Sequence, residues 1–447
     1  MPAITVEGGT PLTGTVVVSG SKNSVLKLIP AAMFSNEDVV LNNVPRIKAV
    51  FDDLEMITSI GGKAEWVGSN TIVLNGSSLN THEIPLEIGS KYRTTMLLTG
   101  PLLFRFGKAF IPKHKPTSFK PGPVNRFIET WKILGFKVEE DDNYYKIFNE
   151  NTGESANLIN SNIVFRTSSH MATDNAILSS VFLTGETIIS NASEECEVDD
   201  LTNLLNQMGA SIERIEPRKL KITGVSIFKG SKFDICPDKS EIASLAAAAI
   251  LTKGNISIKG VRKDAMVQFV NFLNKIGVRF EFSNDELRVW RNEEEIQPIQ
   301  LEVSATPGFI PDWQSIATLI LTQANGESTI HDTVYTDRFR YTVDLNRMGA
   351  KIDLIKPSEA GITPVISDDS YDYEKEGEPT ILAKIQGPSK LKGERLTIAD
   401  FRYGSVLLLA SLCAEGKSEI IGVEHIESFF ESFVNKLKSL GAKIWEQ

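Results

Sequence analysis

Hydrophobic and polar positions repeat along this chain in one order. Amphipathic helical stretches end at a glycine, and each glycine is followed by a short stretch in which apolar and polar residues alternate. A glycine in that place is typical of a left-handed helix C-cap, and the alternation is typical of a strand. The roughly even spacing predicts six copies of one structural unit. The six glycines are Gly61, Gly135, Gly209, Gly277, Gly349 and Gly441.

A second pattern lies between these helix ends. An almost wholly apolar stretch runs to a small or polar stop and then into a short strand, as in residues 407–421. A helix that is apolar nearly all round must be buried. Each unit is therefore predicted as strand, buried helix, strand, amphipathic helix and two strands. Six such units predict an α/β protein of two domains, each with three β-α-β-α-β-β repeats.

Composition excludes several classes of protein. The 447 residues carry a net charge of -10, which argues against a generic nucleic-acid binder. The longest apolar runs, such as 243–251 and 406–412, are too short to span a bilayer, so we expect a cytoplasmic protein without membrane insertion. Cys196, Cys236 and Cys413 show no disulfide or zinc spacing, and the five histidines form no HExxH motif. We expect neither a metal nor a cofactor.

The stretch Val16–Asn23 suggests an anion site. Three β-branched residues lead to small residues that permit a tight turn, and Lys22 and Asn23 follow at the start of an apolar helix. Free N–H groups and the positive end of the helix dipole attract anions there. Taken alone, the motif favours a strand-to-helix turn with a solvated lysine over an anion site.

Motifs along the whole chain resemble those of the enolpyruvyl transferases, and within them the group whose acceptor is UDP-N-acetylglucosamine. The resemblance rests on residues 8–23, 39–45, 191–198, 309–314, 333–339 and 400–404. It implies two inside-out α/β domains that close over a cleft. It also implies transfer of the enolpyruvyl group of phosphoenolpyruvate to UDP-N-acetylglucosamine with release of phosphate, the first committed step of peptidoglycan precursor synthesis.

The resemblance also implies domain borders and the first site residues. Residues 22–235 would form one domain, with a mobile loop at about 111–125, and residues 1–21 would join 236–447 in the other. Lys22 would contact the phosphate of phosphoenolpyruvate and Asn23 the sugar nucleotide. Arg93 would face the phosphates, unless it is only a helix-surface arginine.

Further residues match the family in acid–base and carboxylate-binding roles. Asp312 matches the carboxylate that takes or orients the hydroxyl proton, although an aspartate after proline is also an ordinary helix cap. Arg338 and Arg402 match two arginines that hold the carboxylate of phosphoenolpyruvate, with Asp400 as the partner of Arg402; structural salt bridges are the alternative. The expected sugar-nucleotide pocket includes Pro123, Val124, Asn125, Ser169 and Val334. Glu195 matches an acidic residue near the loop, or is a surface residue.

The loop departs from the family pattern. Alignment on Pro123-Val124 puts Thr117 at the position of the family's acidic Cys or Asp, and Gly122 at that of a phosphate-binding arginine. Phe127 stands at a family histidine and Ser428 at a further arginine. A threonine hydroxyl is far too weak an acid to replace a thiol or carboxylic acid.

We therefore formulate a hypothesis for the missing acid. Histidine is the side chain that titrates nearest neutral pH, so His114 could supply the proton while Lys113, Lys115 and Lys120 bind phosphate. The alternative is a relative that binds UDP-N-acetylglucosamine without turnover. A third possibility, another acceptor such as a shikimate phosphate, is disfavoured because the shikimate enzymes usually carry Lys-Ser where this chain has Lys22-Asn23. The acidic segment 356–380 is predicted as a solvated surface loop without an assigned role.

Overall fold

The computed structural model describes residues 3–114, 124–150, 160–368, 371–399 and 401–446, and for 401–403 the backbone alone. The chain forms two compact units. Unit 1 consists of Met1–Ser19 and Pro237–Gln447, and unit 2 of Gly20–Cys236. The domain borders that the resemblance implies, 21/22 and 235/236, stay predictions.

The strands and helices of the first half follow one another in short alternation. The N-terminal segment of unit 1 carries β1 (Ala3–Glu7) and β2 (Thr13–Val17). Unit 2 contains α1 (Lys22–Ala32), β3 (Val39–Asn42), α2 (Lys48–Ser59), β4 (Lys63–Trp66), β5 (Ile72–Asn75), α3 (Leu86–Gly89), the 3-10 helix η1 (Arg93–Leu98), α4 (Thr99–Phe106), β6 (Lys108–Pro112), α5 (Asn125–Ile133), β7 (Lys137–Glu140), β8 (Tyr144–Phe148), β9 (Ser161–Val164), α6 (His170–Ser180), β10 (Glu186–Ser190), α7 (Cys196–Gln207), β11 (Ser211–Glu216), β12 (Lys219–Thr223) and β13 (Ser231–Asp234).

The same alternation continues through the rest of unit 1. Its elements are α8 (Lys239–Leu251), β14 (Asn255–Lys259), η2 (Asp264–Met266), α9 (Val267–Lys275), β15 (Arg279–Ser283), β16 (Glu286–Trp290), β17 (Gln300–Val303), α10 (Pro311–Leu321), β18 (Glu327–Asp332), α11 (Thr342–Arg347), β19 (Ile352–Ile355), η3 (Pro357–Ala360), α12 (Tyr373–Glu376), β20 (Leu382–Gln386), β21 (Arg395–Thr397), α13 (Phe401–Cys413), β22 (Lys417–Ile421), α14 (Glu424–Glu427), α15 (Phe433–Ser439) and β23 (Lys443–Glu446).

The predicted repeat is visible in the run from β9 to β12. Strand β9 pairs in parallel with β10, and the buried helix α6 connects them, as a parallel connection requires. Strand β12 then pairs antiparallel with β10, and β11 pairs antiparallel with β12. The sheet order is therefore β9-β10-β12-β11, and β17 to β20 form the same order. The β-α-β-α-β-β unit predicted from the sequence is confirmed in these two runs.

Three sheets take one strand from a distant part of the sequence. In unit 1, β2 pairs in parallel with β14, so the N-terminal segment supplies the first strand of that repeat. In unit 2, β13 pairs in parallel with β3 and supplies the first strand there. Strand β1 completes a third sheet between β22 and β23. The sequence pattern leaves the assignment of residues 4–15 open, and these pairings place both of its strands in unit 1.

The core of each unit consists of helices, with the sheets outside. In unit 1, α8, α10 and α13 pack against one another, and all residues of α8 are buried. In unit 2, α6 packs against α4 and α7, and α1 packs against α7. Each fully buried Leu or Ile contributes about 1.5–3 kcal/mol. The six helix-ending glycines all have positive φ, between 75° and 109°, which confirms the predicted left-handed caps. In the described parts of the chain, the helices are too short or too polar to span a membrane.

Candidate functional site

In unit 2, the start of α1 presents two of the predicted residues. Ser21 is the N-cap, and its hydroxyl accepts a hydrogen bond of 3.3 Å from the N–H three residues later. Glycine is required at Gly20, because a Cβ there would lie 1.8 Å from the carbonyl oxygen of Asn43. Lys22 and Asn23 are partly buried, whereas the rest of the helix is buried. The turn therefore places a cation and an amide at the positive end of the helix.

Two carboxyl groups of α2, Asp52 and Asp53, lie close to the start of α1. The sequence analysis did not single them out. Asp52 is held by Lys48, whose Nζ lies 2.8 and 2.9 Å from its oxygens, and by a hydrogen bond from Tyr92. Asp53 is buried, and its Oδ2 has no hydrogen-bond partner among the described residues. Burial and the charge of Asp52 raise the pKa of Asp53 to about 8, against the opposing effect of Lys22. Asp53 therefore holds a proton at neutral pH.

Arg93 begins η1 and reaches the first turn of α6. Its Nη2 lies 3.1 Å from the sulfur of Met171. Its guanidinium carbon lies 5.9 Å from the centre of the Phe127 ring, on α5. Phe127, which stands at the position of a family histidine, is buried and packs edge-on against Trp131. The structure thus brings the starts of η1, α5 and α6 together.

The start of α6 carries a histidine that the sequence analysis did not single out. Ser169 is the N-cap, with its hydroxyl 3.4 Å from the N–H three residues later. His170 follows, and its Nδ1 lies 3.7 Å from Oδ2 of Asp174, one helical turn on. Nδ1 is buried and lacks a hydrogen-bond partner within the described residues, whereas 32% of the side chain is exposed. The spacing of His170 and Asp174 was visible in the sequence.

A buried lysine of α1 pairs with Asp174 and so joins the His170–Asp174 contact into a cluster of three residues. Nζ of Lys27 lies 3.0 Å from Oδ2 of Asp174, and both side chains are buried. Burial alone would lower the pKa of Lys27, but the charges of Asp174, Glu197 and Glu195 outweigh burial and raise it. Glu195 is the N-cap residue of α7, and Glu197 accepts a hydrogen bond of 3.3 Å from Ser21. Charged side chains in the first two turns of α1, α6 and α7 therefore interact with one another.

The loop residues are described only in part. His114 has its Nδ1 3.0 Å from the carbonyl oxygen of Ser90, so Nδ1 carries the hydrogen. Nζ of Lys113 lies 3.0 Å from Glu140, and this hydrogen-bonded contact raises the pKa of Lys113. The roles of these two residues stay predictions. Lys115, Thr117, Lys120, Gly122 and Pro123 lie outside the described residues.

Val124 and Asn125 stand at the start of α5. Val124 is the N-cap residue and packs partly buried against the core of unit 2. Asn125 is the first residue of the helix and is exposed. Because Phe127 of the same helix contacts Arg93, Asn125 lies within two residues of that contact. Among the described residues of the predicted sugar-nucleotide pocket, Val124, Asn125 and Ser169 therefore belong to one end of unit 2.

In unit 1, a buried aspartate builds the turn that carries Val334. Oδ1 of Asp332, the last residue of β18, accepts hydrogen bonds of 2.9 Å from the N–H groups of Val334 and Tyr335. Its Oδ2 accepts a bond of 3.3 Å from Gln314. Burial raises the pKa of Asp332 to about 6. The sequence analysis missed Asp332, although an aspartate at the end of an alternating strand is a usual sign of such a turn.

Arg338 follows this turn. Its guanidinium carbon lies 4.0 Å from the centre of the Tyr335 ring. Burial lowers the pKa of Arg338, but Tyr335, Asp312 and Asp332 outweigh burial and raise it. Asp312 lies in the first turn of α10, after Pro311, and the N-cap is Ile310 rather than Asp312. Asp312 and Arg338, both predicted site residues, therefore interact electrostatically within unit 1.

The remaining predicted residues of unit 1 are only partly visible. Asp400 lies outside the described residues, and α13 begins directly after it, with Arg402 described by its backbone alone. Ser428, at the position of a family arginine, is the C-cap of α14, and its hydroxyl donates to the carbonyl of His425 at 2.8 Å. Ser428 therefore has a local structural role.

A buried ion pair in unit 1 was also missed. Glu241 of α8 is fully buried and accepts hydrogen bonds from Lys436 and, at 2.9 Å, from the N–H of Ser19. Lys436 also donates to the hydroxyl of Ser19 at 2.6 Å. Burial raises the pKa of Glu241, and Lys436 opposes the shift. Glu241 and Lys436 lie 195 positions apart, so no local pattern announces the pair.

Comparison with solved structures supports the fold. The enolpyruvyl transferase NikO from Streptomyces tendae is 20% identical and superposes with a TM-score of 0.85, over 100% of this chain and 99% of that one. An EPSP synthase from Acinetobacter baumannii is 14% identical, with a TM-score of 0.71 over the full length of both chains. The inside-out α/β architecture expected from the resemblance is thereby confirmed.

Sequence comparison gives the family. UDP-N-acetylglucosamine 1-carboxyvinyltransferase 3 of Caldanaerobacter subterraneus subsp. tengcongensis is 32% identical over 99% of both chains. UDP-N-acetylglucosamine 1-carboxyvinyltransferase 1 of Staphylococcus aureus is 31% identical over 99% of both chains. The family model of EPSP synthase (3-phosphoshikimate 1-carboxyvinyltransferase) matches residues 6–437. This chain therefore belongs to the EPSP synthase (3-phosphoshikimate 1-carboxyvinyltransferase) family of enolpyruvyl transferases.

Proposed function

We propose that this protein transfers the enolpyruvyl group of phosphoenolpyruvate to UDP-N-acetylglucosamine and releases phosphate. The reaction would be the first committed step of peptidoglycan precursor synthesis. One observation carries the proposal: relatives that match almost the full chain at 31–32% identity are named as carboxyvinyltransferases of UDP-N-acetylglucosamine. Both substrates are water-soluble metabolites, so the proposal includes the cytoplasm as the place of reaction.

Unit 2 would bind the phosphates and the sugar nucleotide. Lys22 and Arg93 would hold phosphate oxygens, since each stands at the start of a helical element. The uncharged residues that the resemblance assigns to the sugar-nucleotide pocket would contact that substrate, with the polar ones among them donating or accepting hydrogen bonds. These residues are Asn23, Pro123, Val124, Asn125 and Ser169.

Unit 1 would supply the acceptor's base and the carboxylate clamp. Asp312 would take or orient the proton of the acceptor hydroxyl, with its charge balanced by Arg338. Arg338 would bind the carboxylate of phosphoenolpyruvate together with Arg402, which Asp400 would hold in place. Val334, on the turn built by Asp332, would line the sugar-nucleotide pocket.

Phosphate release from phosphoenolpyruvate, with and without UDP-N-acetylglucosamine, tests the proposal. We expect acceptor-dependent release by the wild type and a loss of about 100-fold in Lys22→Ala and in Arg338→Ala. Arg340→Ala is the matched control, because Arg340 is exposed and paired with Asp337 at 3.1 Å. Release with shikimate 3-phosphate in place of the sugar nucleotide would assign another acceptor. Tight UDP-N-acetylglucosamine binding without any phosphate release would show that the protein binds the sugar nucleotide but does not catalyse the transfer.

A further inference from the structure

His170 has the surroundings of an acid–base residue. Its Nδ1 is buried and faces Asp174 at 3.7 Å, while 32% of the side chain remains exposed. Nδ1 is the nitrogen that faces Asp174, so Nε2 is the ring nitrogen left for a substrate. A histidine whose one nitrogen faces a buried carboxylate can take and give protons at the other nitrogen.

The buried Lys27–Asp174 pair beside this ring favours one tautomer of the imidazole. Lys27 lies 3.0 Å from Asp174, and the raised pKa of Lys27 reflects its attraction to that carboxylate and to the acidic residues of α7. A carboxylate that faces Nδ1 favours the tautomer with hydrogen on Nδ1, fixes the ring and stabilises the imidazolium. Neither the carboxylate oxygens of Asp174 nor Nζ of Lys27 makes an aligned hydrogen bond within the described residues. The pair is thus held by charge attraction rather than by a network of aligned hydrogen bonds.

The same contacts place His170 near the predicted phosphate ligands of unit 2. Lys27 belongs to the second turn of α1 and Asp174 to the second turn of α6, so their contact joins the starting halves of both helices. Lys22 begins α1 as His170 begins α6. Arg93 contacts Met171, the residue after His170. His170 is therefore the sequence neighbour of a residue that contacts Arg93, one of the cations expected to bind phosphate.

We propose that His170 is the acid–base residue of the enolpyruvyl transfer, with Asp174 and Lys27 as its positioning residues; this inference rests on the proposed function. In the addition step, Nε2 of the imidazolium gives its proton to C3 of phosphoenolpyruvate while the acceptor oxygen bonds to C2. In the elimination step, the neutral imidazole takes a proton back from C3 and the C2=C3 double bond reforms. The bond from C2 to the phosphate oxygen breaks, and the phosphate leaves with the electron pair and the proton of the acceptor hydroxyl.

Charged groups of several elements lie at or near the starts of the helices that meet at this end of unit 2. Cations favour the neutral imidazole, and carboxylates favour the imidazolium. The positive groups belong to α1, η1 and α5, and the negative groups to α6 and α7. They are Lys22, Lys27, Arg93, Arg126, Asp174, Glu195 and Glu197. The proposal expects the pH profile of turnover in the variant without the imidazole to differ from that of wild type.

The test compares His170→Gln, Asp174→Asn and the double variant with wild type, by phosphate release over pH and by calorimetric binding of UDP-N-acetylglucosamine. We expect His170→Gln to lower kcat by about 100-fold or more, with binding changed by less than about 3-fold. Asp174→Asn should lower kcat by about 10-fold and add little to the loss in the double variant, because it acts through His170. His82→Gln is the control, since His82 packs edge-on against Phe110 away from this cluster.

The outcomes separate this inference from the proposed function. Acceptor-dependent release by wild type that survives in His170→Gln overturns the inference and leaves the function. Weaker sugar-nucleotide binding with unchanged kcat also overturns it, because His170 would then be a binding contact. A loss of kcat in His114→Ala without a loss in His170→Gln assigns the acid to the loop. Wild type that releases no phosphate with any acceptor overturns both proposals.

Discussion

Each unit has a buried lysine–carboxylate pair among its described residues, and the two pairs differ in their hydrogen bonds. In unit 1, Glu241 accepts hydrogen bonds from Lys436 and from the backbone of Ser19. In unit 2, Lys27 and Asp174 lie 3.0 Å apart, but neither makes an aligned hydrogen bond within the described residues. Replacing both members of a buried ion pair by apolar side chains is often neutral for folding, whereas removing one member alone is costly.

The difference indicates different roles. The pair of unit 1 fastens the N-terminal segment to α8 and α15, so its partners are all structural. The pair of unit 2 faces His170, which is partly open to solvent. Poor satisfaction of buried polar groups is more often found at functional sites than in ordinary cores. The comparison therefore predicts large stability effects in unit 1, and in unit 2 activity effects without stability loss when both ions are replaced together.

The largest stability effect is expected for Lys436→Met. Removing the cation leaves Glu241 buried without its charge partner, which should cost about 4 kcal/mol of unfolding free energy at neutral pH. The cost should shrink at low pH, because Glu241 is then protonated in both variants. Denaturant unfolding measures it, with Lys438→Met on the same helix as the control. A loss below about 1 kcal/mol would contradict a structural role for the pair of Lys436 and Glu241.

Asp53→Asn should give the next largest effect, and it should be stabilising. The pKa of Asp53 is raised to about 8, so above pH 4 the folded state holds a proton that the unfolded state has released. Wild-type stability should therefore fall as pH rises from about 4 to 8, and Asn removes this slope. We expect the variant to be more stable by about 2 kcal/mol at pH 8 and nearly unchanged at pH 4. Equal gains at both pH values would show that Asp53 is ionised in the fold.

The sequence predicted those parts of the fold that depend on local pattern. Helix-ending glycines such as Gly209 need a left-handed conformation, and their spacing shows the repeat directly. The spacing does not show that β2 pairs with β14 or that β13 pairs with β3, because each strand comes from a distant part of the sequence. Every repeat offers a similar first strand, so only tertiary packing decides which sheet it joins.

The candidate site, too, could be predicted only where it depends on local sequence pattern. Family motifs single out four residues whose functional roles stay proposals, namely Lys22, Arg93, Asp312 and Arg338. His170 and Asp174 have the spacing of neighbours on one helix face, which the sequence also contains. That spacing is common on helices, and what distinguishes it here is a buried lysine from a distant helix. The contact depends on how α1 packs against α6, and no local signal encodes that packing.

Ser21→Ala should have a smaller effect that tests the link between α1 and this cluster. The variant loses the N-cap hydrogen bond to the backbone and the hydrogen bond to Glu197, so we expect a loss of about 1 kcal/mol. Ser21→Gly is the matched variant, since glycine at an N-cap costs only a few tenths of a kcal/mol relative to serine. Thermal unfolding of both separates the cap from the side-chain contact. Equal losses in both would assign the effect to Glu197 alone.

The smallest stability effect is expected where both ions of unit 2 are removed. Replacing Lys27 by Met and Asp174 by Leu exchanges a buried, poorly hydrogen-bonded ion pair for apolar side chains, which should change unfolding free energy by less than about 1 kcal/mol or stabilise the fold. Phosphate release should nevertheless fall by about 10-fold, because His170 loses the carboxylate that orients its ring. Loss of stability with unchanged turnover would make this pair as structural as Lys436 and Glu241. Stability retained with turnover lost would show that unit 2 keeps its buried ions for the histidine beside them.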